Sequence, residues 1–128
     1  METLKIDTGV REFQINGQGV LRLNPTDPNL FWRLQEMLPE LDAIEAALTE
    51  SKDSLAGIMD ADRQVKALLT RVFQNDFDQL LQGVNLFSVG ENGQRVIENL
   101  LAALTPVLQA GAEECGRNAA EKIRKEQP

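Results

Sequence analysis

The hydrophobic pattern changes its period once along the chain. In Leu4-Lys5-Ile6-Asp7, Phe13-Gln14-Ile15 and Leu21-Arg22-Leu23, apolar residues alternate with polar ones, the period of a half-buried strand. Thr8-Gly9 and Asn16-Gly17-Gln18-Gly19 supply turn chemistry between them. The pattern predicts two or three short antiparallel strands within residues 2–24. A lone hairpin is marginal in water. Its apolar face (Leu4, Ile6, Phe13, Ile15, Leu21, Leu23) therefore needs helices or another chain to pack on.

After Asn24-Pro25-Thr26 the period becomes helical. Asp27 is a good N-cap, and Pro28 fits the first helical position, where a missing N–H costs nothing. Leu30, Phe31, Leu34, Met37, Leu38, Leu41, Ile44 and Leu48 follow at helical spacing. Pro39 predicts a kink or break near Glu36–Leu38. Thr49–Gly57 is polar and weakly periodic, and both a loop and a poorly packed helix fit it. Ile58, Val65, Leu68, Leu69, Val72 and Phe73 mark a second helix, with Asp62 and Lys66 as a favourable i,i+4 pair. Asn75-Asp76-Phe77-Asp78 opens a short third helix through Leu80 and Leu81, and Gly83 is placed to end it.

Val84–Val89 is short and apolar, open between helix and strand, and Gly90-Glu91-Asn92-Gly93 is a turn. Val96, Ile97, Leu100, Leu101, Leu104, Val107 and Leu108 form the clearest helical stripe, with Pro106 expected to kink it. Beyond Gly111 the stripe thins to Cys115, Ala119 and Ile123. That thinning predicts a weaker helical tail over residues 111–128, frayed unless a partner covers it. The expected fold is α+β and mainly helical. An N-terminal β-hairpin or three-stranded antiparallel meander packs on three to four helices, in one domain with its helical core over residues 27–110.

Composition narrows the function. A chain of 128 residues suits one domain, and 42% hydrophobic residues suffice for a packed core. There are no histidines, no tyrosines and one cysteine. That removes the base of a catalytic triad, a zinc–histidine site, an imidazole switch and an intrachain disulfide. No apolar run approaches the ~20 residues of a membrane span, and the first residues do not read as a signal peptide. A cytosolic chain is the simpler expectation.

The net charge of −7 is uneven. Residues 1–24 and 63–128 are each neutral, while in residues 25–62 nine acids face only Arg33 and Lys52. Such a segment is either a solvated helix face or an acidic surface that steers a basic partner. A pI near 4.6 argues against nucleic acid, whose phosphates need clustered cations.

No residue set reads as catalytic, cofactor-binding or metal-binding. Asp60-Ala61-Asp62 has the spacing of a metal loop, but position 6 is Val65 and position 12 is Arg71, where an EF-hand needs glycine and glutamate. Gly17-Gln18-Gly19 lies between strands and lacks the third glycine of a dinucleotide fingerprint, so it reads as a turn. Cys115 has no histidine to activate it and reads as a small packing residue. Glu36 with Glu40, and Glu113 with Glu114, read as solvated faces. Trp32, the only tryptophan, lies off the main apolar line and is either core or an interface anchor. Phe31, Trp32 and Phe87 are the candidate partner-binding residues.

Two segments carry a resemblance. One is the hairpin running into Leu23-Asn24-Pro25-Thr26-Asp27-Pro28-Asn29. The other is Leu81-Gln82-Gly83-Val84-Asn85-Leu86-Phe87-Ser88-Val89, a Gly/Asn turn, then Asn99-Leu100-Leu101-Ala102-Ala103-Leu104-Thr105-Pro106. In this order they resemble the tail assembly chaperones of siphophages and prophages of Gram-positive bacteria. The likeness spans most of the chain and is loose between about residues 45 and 75. Pro39 departs from the long uninterrupted first helix of that pattern.

The resemblance implies a non-enzymatic protein without cofactors, acting in the cytoplasm of the bacterial host. It would bind the tape measure protein, recruit tail tube protein subunits and be absent from the mature virion. It also implies partners that are proteins rather than nucleic acid, membrane or a small-molecule substrate. A homo-oligomer formed through the hairpin edge or the last helix is a further expectation. The competing expectations are a virion structural protein of the head–tail connector type and a small acidic regulatory binding protein.

Overall fold

The structure is a computed structural model that describes residues 1–126, with side chains described through Arg117. The elements run β1 (Arg11–Ile15), β2 (Gly19–Leu23), α1 (Pro28–Glu50), α2 (Leu55–Phe73), α3 (Phe77–Leu80) and α4 (Val96–Glu126). Two five-residue strands against helices of 23, 19 and 31 residues make the protein α+β and mainly helical.

The hairpin is built by its turn. Asn16 and Gly17 both take positive φ (54° and 72°), as a type I′ turn requires, and Gln18 N–H donates to the Ile15 carbonyl at 3.1 Å. The antiparallel register pairs Phe13 with Leu21 and Arg11 with Leu23. Period two then puts Phe13, Ile15, Leu21 and Leu23 on the face that packs against the helices.

The third strand of a meander is absent. Leu4-Lys5-Ile6-Asp7 is unpaired, and Leu4 (84%) and Ile6 (77%) stand exposed. The cause lies at Asn24, whose Nδ2 donates to the Thr8 carbonyl at 2.9 Å. Gly9 sits at φ +76°, and a Cβ there would fall 2.6 Å from that same amide nitrogen. The chain is thereby held beside the end of β2 and does not turn back along β1.

Asp27 caps α1 by accepting from Asn29 N–H at 3.0 Å. Pro39 does not break the helix. It is exposed, as is Gln35, whose carbonyl it leaves without an i+4 donor, so water can take that bond. Pro106 likewise sits exposed inside α4 without ending it. Residues 49–57 divide between helix and turn. After α1, Lys52 and Asp53 take positive φ in a tight turn, and Ser54 caps α2 through Gly57 N–H at 3.1 Å. Helices α1 and α2 thus form an antiparallel pair. Asp76 caps α3, and Gly83 at φ +75° lies just past its end.

Val84–Val89 is neither helix nor strand. Its backbone is committed elsewhere: Leu86 N–H donates to Asp62 Oδ1 at 2.8 Å, and Leu86 C=O accepts from Ile97 N–H at 2.8 Å. Leu86 itself is fully buried, so this loop plugs the space between α2 and the start of α4. One apolar cluster, including Leu21, Leu30, Val65, Leu69, Val72, Phe77, Leu86 and Leu104, joins hairpin, helices and loop.

Helix α4 runs on through Gly111. That glycine is buried, and a Cβ on it would meet the Pro25 carbonyl oxygen at 1.8 Å. Gly111 therefore marks the closest approach of α4 to the buried turn before α1, where nothing larger fits. Arg11 on β1 pairs with Glu114 one turn later at 3.3 Å. Cys115 is half-buried with a free thiol. The side chains of Ala119 and Ile123 lie outside the described residues.

Candidate binding groove

Two sets of residues carried candidate chemistry, and the structure separates the members of each. Asp60 and Asp62 are neighbours in sequence but serve different partners. Asp60 faces solvent with Arg63 and Gln64, whose Nε2 lies 2.8 Å from it. Asp62 turns inward, pairs with Lys66 at 3.2 Å and accepts from Leu86 N–H. Lys66 also reaches Asp78, at 3.1 Å. Burial alone would lower the Lys66 pKa, but its bonds to Asp78 and Asp62 outweigh burial and hold it above the usual lysine value. This cluster ties α2 to α3 and to the Val84–Val89 loop, and it is structural.

The aromatic candidates fall at two ends of α1. Phe31 is half-buried near its start, and Trp32 beside it is 64% exposed. Phe87 is half-buried, packs against the core and lies under the Arg95 guanidinium, 5.6 Å from its ring centroid. Phe87 shares a cleft with Leu48 and Thr49, near the end of α1. Seventeen residues of helix separate Phe31 from Leu48, about 25 Å at 1.5 Å per residue. The three aromatics are therefore not one site.

A groove between α1 and α2 has the better geometry. It is open to solvent, holds about 430 Å³ and is lined by Glu40, Ala43 and Ile44 from α1 and by Gln64, Ala67, Leu68 and Arg71 from α2. The α2 positions are i, i+3, i+4 and i+7 of one helix face. Its floor is apolar, from Ile44 and Leu68. Ala43 and Ala67 contribute only single methyl groups to its walls, so no long side chain fills it at those positions. Arg71 and Glu40 form an ion pair across it. An elongated apolar trough of this kind suits a row of side chains from a docked amphipathic helix.

The surroundings are asymmetric in charge. Glu36, Asp42, Glu45 and Glu50 are exposed on α1, and among the described residues none of them has an ion-pair partner. Glu50 also sits in the last turn of the helix, which carries no basic residue and where a negative charge opposes the helix dipole. Arg33, the one cation of α1, is spent on the Val72 carbonyl at 2.7 Å. At 100° per residue, Trp32, Pro39 and Ala43 lie within roughly 40° of one another, so the tryptophan shares the face of α1 that carries Ala43, about 16 Å along the helix from it.

Sequence reasoning did not identify Ala43, Gln64, Ala67 or Arg71. The available signal was alanine flanking an apolar residue, at Ala43-Ile44 and Ala67-Leu68, on two adjacent helices. Among the described residues, no helix is long and apolar enough to cross a membrane. No family model, characterised protein or solved structure matches this chain.

Proposed function

We propose that this protein is a phage tail assembly chaperone. It binds helical stretches of the tape measure protein, recruits tail tube protein subunits and carries out no reaction of its own. It works in the cytoplasm of the bacterial host and leaves before the virion is complete. The observation that carries this reading is the α1–α2 groove: an apolar floor of Ile44 and Leu68, left unfilled by Ala43 and Ala67, on a helix that exposes acids unpaired among the described residues. A tape measure protein is a long helical chain whose apolar stripes are uncovered until the tube forms around it. The groove supplies cover for such a stripe, and the −7 charge keeps the complex in solution. The resemblance of the Leu23–Asn29 and Leu81–Pro106 segments to such chaperones points the same way.

Co-expression with the tape measure protein of the same genome tests the proposal. The expected result is a tape measure protein that is soluble only alongside this chain and co-purifies with it. Insoluble tape measure protein under both conditions, with nothing retained, overturns it. Mass spectrometry of purified virions separates the chaperone from a head–tail connector, which would remain in the particle.

A further inference from the structure

The two edges of the hairpin are not equivalent. Arg22 N–H donates to Asn75 Oδ1 at 3.0 Å, and Arg22 C=O accepts from Asn75 Nδ2 at 2.8 Å. One side chain thus satisfies both outward-facing groups of Arg22, as a neighbouring strand would. Leu80 of α3 packs beside β2 on the apolar face, where the missing Cβ of Gly19 leaves room for it.

The β1 edge has no such cover. Because Arg22 turns its peptide groups away from β1, its register partner Glu12 turns its own away from β2, and Gln14 does the same two residues on. Among the described residues, those N–H and C=O groups have no partner. The apolar face is incomplete on this side too. Leu21 and Leu23 on β2 are 0% and 6% exposed, whereas Phe13 and Ile15 on β1 are only half-buried.

The same chain carries a strand-forming segment with nothing to pair with. Leu4-Lys5-Ile6-Asp7 alternates, its two apolar side chains are exposed, and the Asn24–Thr8 bond steers it away from its own β1.

We propose that the Leu4–Asp7 segment of one copy adds as a third, antiparallel strand to the β1 edge of a second copy. In the register that matches both patterns, Leu4 lies beside Phe13 and covers the half-buried apolar face. Lys5 then lies opposite Glu12, an attractive pair on the solvent face. Reciprocal exchange closes a two-fold dimer, and one-way exchange builds a longer assembly. The contact involves neither the groove nor its occupant.

Sedimentation of the purified protein up to about 1 mM, the weak end of specific association, tests the proposal. The expected result is self-association that becomes at least roughly tenfold weaker in a Leu4→Ser/Ile6→Ser double variant. Both side chains are exposed in one copy, so this variant keeps the helical circular dichroism of the parent. In a Cys115→Ser background, mixing a Lys5→Cys variant with a Glu12→Cys variant is expected to give an intermolecular disulfide, since paired positions lie about 5.5 Å apart. A protein that stays monomeric throughout overturns the proposal. So does association unaffected by the double variant, or association without the Lys5–Glu12 cross-link.

Discussion

Glycine-to-alanine substitution in a helix normally stabilises by about 1 kcal/mol, because alanine loses less backbone entropy and glycine is the poorer helix former. Helix α4 contains two glycines for which the structure predicts opposite signs. Nothing lies within 4 Å of a Cβ placed on Gly116, so Gly116→Ala gains the ordinary increment. At Gly111 the Cβ falls 1.8 Å from the Pro25 carbonyl oxygen, where an ordinary contact is 3.4 Å or more. A flexible side chain could move aside, but the obstacle here is backbone in a buried turn.

Relief at Gly111 requires α4 to lift away from the turn. That displacement also weakens the Arg11–Glu114 pair. Overpacking of this kind costs about 3 kcal/mol, at the upper end of its usual range, and the helix gain offsets about 1, leaving a net loss of about 2 kcal/mol. With an unfolding entropy near 2.1 cal/mol/K per residue, 1 kcal/mol corresponds to about 4 °C. Thermal unfolding followed at 222 nm should show Gly116→Ala rising by about 4 °C and Gly111→Ala falling by about 8 °C. An increase for Gly111→Ala matching that of Gly116→Ala would refute the docking of α4 on the Pro25 turn.

Three other outcomes follow from the polar contacts. Asp62→Leu leaves Lys66 with only the exposed Asp78 and leaves the buried Leu86 N–H without an acceptor. It should lose about 3 kcal/mol in urea titration, while Asp62→Asn, which keeps an acceptor, loses clearly less. The raised Lys66 pKa contributes stability that is complete below the unfolded lysine value of about 10.4 and is lost as pH rises through the folded value. An alkaline unfolding series should show that loss in the parent and not in Lys66→Met. Asn75→Ala removes the bonds to Arg22 N–H, Arg22 C=O and Phe73 C=O and should cost about 1–2 kcal/mol, measured by chemical denaturation.

What the sequence revealed divides along a physical line. Elements specified by neighbouring residues were legible: the Asn16-Gly17 turn, the Asp27-Pro28 start of α1, the Asp76 cap and the apolar stripes of α2 and α4. Features that depend on distant contacts were not. The fate of Leu4–Asp7 turns on Asn24, and that of Val84–Val89 turns on Asp62, 24 residues before Leu86. The prolines kept their helices because each falls on a solvent-facing side, which periodicity shows only when the whole stripe is fixed first. The groove was the least legible feature. It depends on where alanines from two helices meet, and alanine is neither a strong apolar nor a polar marker. Trp32 lies off the core line of α1 in the sequence, and its exposure follows from that position.

The proposed surface for the tape measure protein is the α1–α2 groove. Ala67 is exposed and lines the groove, and Ala102 is exposed on α4 away from it. Filling the groove with Ala67→Phe and placing the same ring outside it with Ala102→Phe gives a matched pair. Both variants should unfold like the parent. The decisive measurement is retention of the tape measure protein by each variant after co-expression. The account predicts retention by Ala102→Phe and loss by Ala67→Phe. Equal retention by both would contradict it.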